Sequence, residues 1–80
     1  MVEIIHDKNI SLKAKGAYLI ISELIKNNEA VGLRKIKDIV KDGETSIRGA
    51  VNELLDNGYI EREMKRGEGK IRGIEYKIIK

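Results

Sequence analysis

The period of the hydrophobic pattern changes abruptly at one point in this chain, and that change constrains the fold more than any other feature. Ile47, Ala50, Val51, Leu54 and Leu55 recur at i, i+3, i+4, i+7 and i+8, the single apolar stripe of a helix. Thr45, Ser46, Arg48, Gly49, Asn52 and Glu53 lie off that stripe. Asn57-Gly58 then ends the helix, as a left-handed C-terminal cap does. From Tyr59 onward the period is two. Ile60, Arg62 and Met64 alternate with Tyr59, Glu61 and Glu63, and Ile74, Tyr76 and Ile78 alternate with Gly73, Glu75 and Lys77. These predict strands over residues 59–65 and 71–79, joined by the basic linker Arg66-Gly67-Glu68-Gly69-Lys70. A helix is thus wired directly to a hairpin, and 80 residues leave room for only one modest core to be shared with them.

Upstream of this unit, Ser11 is placed to cap a helix whose apolar positions are Ala14, Ala17, Tyr18, Ile21, Leu24 and Ile25, ending at residues 26–28. Gly16 costs such a helix roughly 1 kcal/mol relative to Ala, which marks it as a point of close backbone approach. Residues 29–32 form a short link or a stub of strand. A second helix follows, with Leu33, Ile36, Ile39 and Val40 on one face and Arg34, Lys35, Lys37 and Lys41 elsewhere. Asp42-Gly43 predicts a tight turn using the positive φ that glycine tolerates. The run Val2-Glu3-Ile4-Ile5-His6, closed by Asp7-Lys8-Asn9, reads as a short strand or extended arm. The expectation is one α+β domain over residues 1–80, with an N-terminal arm at 1–10, a three-helix core at 11–58 and a two-stranded hairpin at 59–80. Two helices joined by a tight turn and followed by a hairpin is winged helix-turn-helix order.

Charge narrows the function. Residues 1–58 carry nine Lys/Arg and nine Asp/Glu, while residues 59–80 carry seven against four, so the formal excess of +3 falls in the C-terminal quarter. A localised basic patch is the footprint of a polyanion binder. The chain has no cysteine, which excludes disulfides and thiolate metal sites and fits a reducing compartment. The longest apolar stretch, residues 17–21, is far too short to span a bilayer, and the N-terminus does not open like a signal peptide, so a cytoplasmic protein is expected.

The stretch from Ile39 to Ile60, with Thr45-Ser46, Ile47, Arg48 and the run Leu54-Leu55 to Gly58, resembles the helix-turn-helix core of winged bacterial regulators. Asn9-Ile10-Ser11-Leu12-Lys13-Ala14-Lys15-Gly16, together with Lys41-Asp42-Gly43, Ser46-Ile47-Arg48 and Gly73-Ile74-Glu75-Tyr76, resembles the N-terminal winged-helix domain of DnaD-like and replication initiator A type proteins of Gram-positive bacteria, their plasmids and phages. Larger members of that family continue into a C-terminal domain, whereas this chain stops at Lys80. The resemblance implies binding of double-stranded DNA, in replication initiation or in transcription regulation.

B-DNA's major groove, about 12 Å wide, admits one helix, so a reading helix must turn a polar face outward while its stripe docks on the core. Thr45, Ser46, Arg48 and Asn52 are the candidate DNA contacts of the third helix, with Arg48 matched to guanine O6 and N7 and Asn52 to adenine. Glu44 would repel phosphate, though it suits the helix dipole and a cytosine amino group. Lys65, Arg66, Lys70 and Arg72 at the hairpin tip suit a phosphate track or minor groove, and Lys35 and Lys37 would add phosphate contacts. Lys41 could add another, and Lys13 and Lys15 are weaker candidates, because lysines on a helix face are ordinarily only solvated.

Other chemistries lack their residues. Gly67-Glu68-Gly69-Lys70 lacks the glycine spacing and Lys-Ser/Thr of a P-loop. His6, the one histidine, has no cysteine or second histidine to share a metal. Three tyrosines without Phe or Trp offer no stacking platform for single strands. No nucleophile is paired with a base, so neither an enzyme nor a cofactor is expected. The alternative to DNA binding is an assembly module, self-pairing as a homodimer through an edge strand at residues 2–5 or docking replication-initiation proteins.

Overall fold

A computed structural model describes residues 2–67 and 70–80, with the side chains of 3–64 and 74–80. Over the described residues the fold is α+β, with four helices and a two-stranded antiparallel hairpin. Helix α1 spans Val2–His6, α2 Leu12–Lys26, α3 Leu33–Ile39 and α4 Glu44–Asp56; strands β1 and β2 span Ile60–Gly67 and Lys70–Ile78. Among the described residues no helix is long and apolar enough to cross a membrane.

Helix α2 is the hub, packing on α3, α4 and β2. Its start follows from Ser11, whose Oγ accepts from the Ala14 N–H at 3.2 Å. Ala14, Ala17, Tyr18, Ile21 and Leu24 are buried, while Ile25, expected on the same face, is 40% exposed at the edge of the stripe. Asn28 ends the helix in the left-handed region at φ 58°, letting the Glu29 N–H donate to Leu24 O and its own N–H to Ile25 O. Gly58, at φ 75°, ends α4 the same way, with Tyr59 N–H donating to Leu54 O and Gly58 N–H to Leu55 O. The α4 stripe is as expected: Ile47, Ala50, Val51 and Leu54 are buried and Leu55 is half-buried.

Several further sequence expectations need correction. Residues 2–6 are a helix, not a strand or extended arm. Five residues are too few to show a period, and α1 sinks Ile4 to 2% exposure in the core while Asp7 N–H donates to Ile4 O and Lys15 Nζ to Ile5 O. Gly43 is the extended N-cap of α4 (φ −77°, ψ 167°), so the turn before α4 uses no positive φ there. Gly16 is not at a close approach, since a Cβ there would meet nothing within 4 Å. Ile39 is 51% exposed: α3 ends at that residue, and Val40 continues in extended backbone to pack against the core instead.

The hairpin pairs Ile60 with Ile78, Arg62 with Tyr76 and Met64 with Ile74, and its register is irregular between Lys65 and Arg66. Arg66, Gly67 and Lys70, read as linker from the sequence, belong to the strands. Near the helices Ile60 and Tyr76 are buried; further out Met64 and Ile74 are about half exposed. The link before α3 is held to β2 by one backbone bond, Tyr76 N–H to Val31 O at 2.9 Å, rather than forming a strand of its own. Gly32 is the real close approach, because a Cβ there would lie 3.3 Å from Ile74 O.

Tyr59 knots the two ends of the described chain together. Its hydroxyl donates to Asp7 Oδ2 at 2.5 Å, its ring meets Tyr18 edge-on with centroids 6.0 Å apart, and Lys80 Nζ sits 4.8 Å from its centroid. Tyr18 in turn donates to Lys80 O at 2.7 Å. The bond to Asp7 pushes the Tyr59 hydroxyl up to about 12, and the same bond, with the Asn9 N–H, holds Asp7 below its ordinary value.

Two glycines should respond to alanine with opposite sign. Gly16→Ala, unobstructed within α2, is expected to stabilise by about 0.5–1 kcal/mol, whereas Gly58→Ala forces a Cβ into the left-handed region and should cost about 1–2 kcal/mol; urea unfolding of both variants checks this. The Tyr59–Asp7 bond predicts a pH signature at both ends. Tyr59, raised in the fold, contributes stability that is intact below its ordinary pKa of 10.0 and lost as pH rises toward about 12. Asp7, lowered in the fold, contributes stability present above its ordinary 3.8 and lost as pH falls through its folded value. Urea midpoints across pH should therefore decline less steeply in both limbs for Tyr59→Phe than for the wild type.

Candidate nucleic-acid interface

The buried stripe of α4 leaves the opposite line, Thr45, Gly49, Asn52 and Asp56, exposed at i, i+4, i+7 and i+11. Nothing in the core competes for these side chains. Arg48 lies on the α3 flank of the line and Ser46, half-buried, on the α2 flank.

On the α3 flank, Leu33, Arg34, Lys37, Asp38, Glu44 and Arg48 line a groove between α3 and the start of α4. Glu44 ties two of its cations together, with Arg48 Nε 3.3 Å from one carboxylate oxygen and Lys37 Nζ 3.9 Å from the other. Lys35 does not join them: it pairs with Glu29 at 2.9 Å.

The α2 flank holds Lys13, a weak candidate in sequence, and Glu53, which was no candidate there. Lys13 reaches across from α2, its Nζ 3.3 Å from where a Cβ on Gly49 would lie, so the missing side chain of Gly49 leaves room for this ammonium against the exposed line. Glu53 turns inward to the first turn of α2 and accepts from Ser11 N–H at 2.7 Å and from Ser11 Oγ at 2.5 Å. Those bonds, that from the Ser11 hydroxyl foremost, hold the Glu53 carboxyl below its ordinary value. The Glu44–Arg48 spacing of four was readable in the sequence; the Lys13–Gly49 and Ser11–Glu53 contacts join separate helices and leave no local signal.

Thr45, Ser46, Arg48 and Asn52 are thus gathered along α4, with Lys37 linked through Glu44 and Lys35 apart. The side chains of Lys65, Arg66, Lys70 and Arg72 lie outside the described residues. Residues 65–73 carry four Lys/Arg and one Glu, net +3, which leaves the remaining 71 residues with twelve of each sign. On the described part of the hairpin, Glu61 and Glu63 flank Lys77 at 3.2 and 4.0 Å. Among the described residues no cluster of His, Asp and Glu could hold a metal ion.

No family model matches this chain, and no curated protein or solved structure matches it at a significant level.

The inward and outward placement of neighbouring α4 residues is open to test. Glu53→Ala should destabilise by about 1–3 kcal/mol, since it strips charge-assisted bonds from the α2 cap. Asn52→Ala, one residue earlier but on the exposed line, should stay within about 0.5 kcal/mol of wild type in the same unfolding measurement.

Proposed function

We propose that the chain is a winged helix-turn-helix domain that binds double-stranded DNA, with α4 in the major groove and the hairpin laid on the backbone or minor groove. The reading is carried by the exposed line of α4. Thr45, Gly49 and Asn52 form a polar strip with no role in the core, flanked by Arg48 on one side and Lys13 on the other. Gly49 in mid-strip keeps the helix surface low where a groove wall would pass closest. The order α2, α3, short turn, α4, hairpin supports the same layout.

Two terms of binding fall to different parts of the molecule. The +3 excess in residues 65–73 supplies attraction to phosphate in any sequence, while Arg48 and Asn52 offer hydrogen bonds that distinguish guanine and adenine edges. Such a domain serves a cytoplasmic replication-initiation or transcription-regulatory protein.

A second reading, assembly with a copy of itself or with replication-initiation proteins, loses the edge strand on which it first stood. It is supported instead by Leu12, 89% exposed, and Leu19, two turns along the same face of α2 and 45% exposed.

Titrating labelled duplex of random sequence with protein over a salt series tests the proposal. Affinity should fall steeply with salt, with a slope of about 0.9 per phosphate contacted. Arg48→Ala should cost about 1–3 kcal/mol on a selected site, and alanine at Lys65 or Lys70 should instead flatten the salt slope. Absence of affinity for any duplex at low salt would overturn DNA binding and favour the assembly reading.

A further inference from the structure

Glu44 is out of place on a face that grips phosphate. It stands in the first turn of α4, more than half exposed, beside two of the cations that the α3 flank presents. A carboxylate so close to a guanidinium and an ammonium lies well inside the roughly 8–10 Å screening length of physiological salt. A phosphate approaching Arg48 or Lys37 therefore meets that negative charge almost undiminished.

The contact with Arg48 is one-sided. Glu44 engages Nε, and no ion pair or hydrogen bond within the described residues takes up the two η nitrogens. A neutral guanine edge offers two acceptors to such a nitrogen pair and carries no net charge for Glu44 to repel. Phosphate offers acceptors too, but brings a negative charge against a cation already matched.

We propose that Glu44 is a specificity-determining positioning residue, holding Arg48 by Nε and matching its charge so that the arginine engages a base edge in preference to a phosphate. This rests on the DNA-binding reading above. Glu44 itself need not touch DNA; it acts through Arg48.

Glu44→Gln separates this role from a structural one, because the amide oxygen still accepts from Nε while the charge is gone. Binding is measured over a salt series to two probes, a random-sequence duplex and the duplex that wild-type protein selects from a random pool. Glu44→Gln should bind the random duplex several-fold tighter, with a salt slope steeper by about 0.9. Affinity for the selected duplex should change less, so discrimination falls. In an Arg48→Ala background the same change should no longer alter the ratio between probes. An unchanged ratio in the single variant, or equal weakening on both probes, overturns the proposal, with circular dichroism confirming that each variant is folded. Wild-type protein that binds duplexes but selects no sequence overturns it while leaving DNA binding intact. Protein that binds no duplex removes the reading beneath it.

Discussion

Glu53 accepts two hydrogen bonds from Ser11, and that pair ties the rotation of α4 to the start of α2, on which the rest of the helical layer packs. Ser11 caps α2 with the same hydroxyl that it donates to α4, so one residue begins a helix and fixes the rotation of its neighbour. Rotation is the quantity that matters for the exposed line. A turn of α4 by one residue position, about 100°, would sink Thr45 and Asn52 and lift Ala50 and Leu54 into water. The apolar stripe alone resists this only as far as its width allows. The directional bonds from Ser11 narrow it further, beside an interface of small side chains, Ala14, Ala17 and Ala50, that would tolerate sliding.

The elements legible in the sequence are those whose signal is periodic and long. The α4 stripe, the Gly58 cap and the α2 face needed no partner to be read, because their spacing and caps are local. The hairpin alternation gave its register side but not its length. What was not legible depended on contacts made across the chain. Residues 2–6 carry a strand-like composition, yet the edge of β2 is approached by Val31 through its bond with Tyr76, and burying Ile4 from a short helix satisfies the core instead. Gly16 and Gly32 illustrate the same limit. Its helix cost marked Gly16 for a close approach while nothing local marked Gly32, and only packing shows that Gly32 lies against the Ile74 carbonyl while Gly16 faces open space. In the candidate interface, Arg48 and Asn52 followed from the stripe by elimination, whereas Lys13 is brought to Gly49 only by the crossing of α2 and α4.

With no disulfide available, the ends of so small a fold are held by side chains. Tyr59 stands where α4 gives way to β1 and gathers Asp7, Tyr18 and Lys80 around one ring. The place where helix becomes hairpin is therefore also where the termini of the described chain are tied. Because the base of the hairpin is anchored by this aromatic knot and by the Tyr76–Val31 bond, the outer strands can carry charged residues without a core of their own.

The distribution of charge then has a physical consequence for binding. A uniformly basic domain would gain affinity everywhere on a polyanion, and its reading residues would compete with their own nonspecific contacts. Here the excess is concentrated in residues 65–73, while the remainder of the chain carries equal numbers of each sign. On α4 and α3 three of the cations sit beside carboxylates: Arg48 and Lys37 beside Glu44, and Lys35 beside Glu29. If α4 reads DNA as proposed, attraction supplied by residues 65–73 would bring a duplex near without committing α4 to any phosphate. Under the proposed function, helix charge balance and hairpin charge excess are two halves of one arrangement, in which nonspecific affinity and sequence discrimination are adjusted by separate residues.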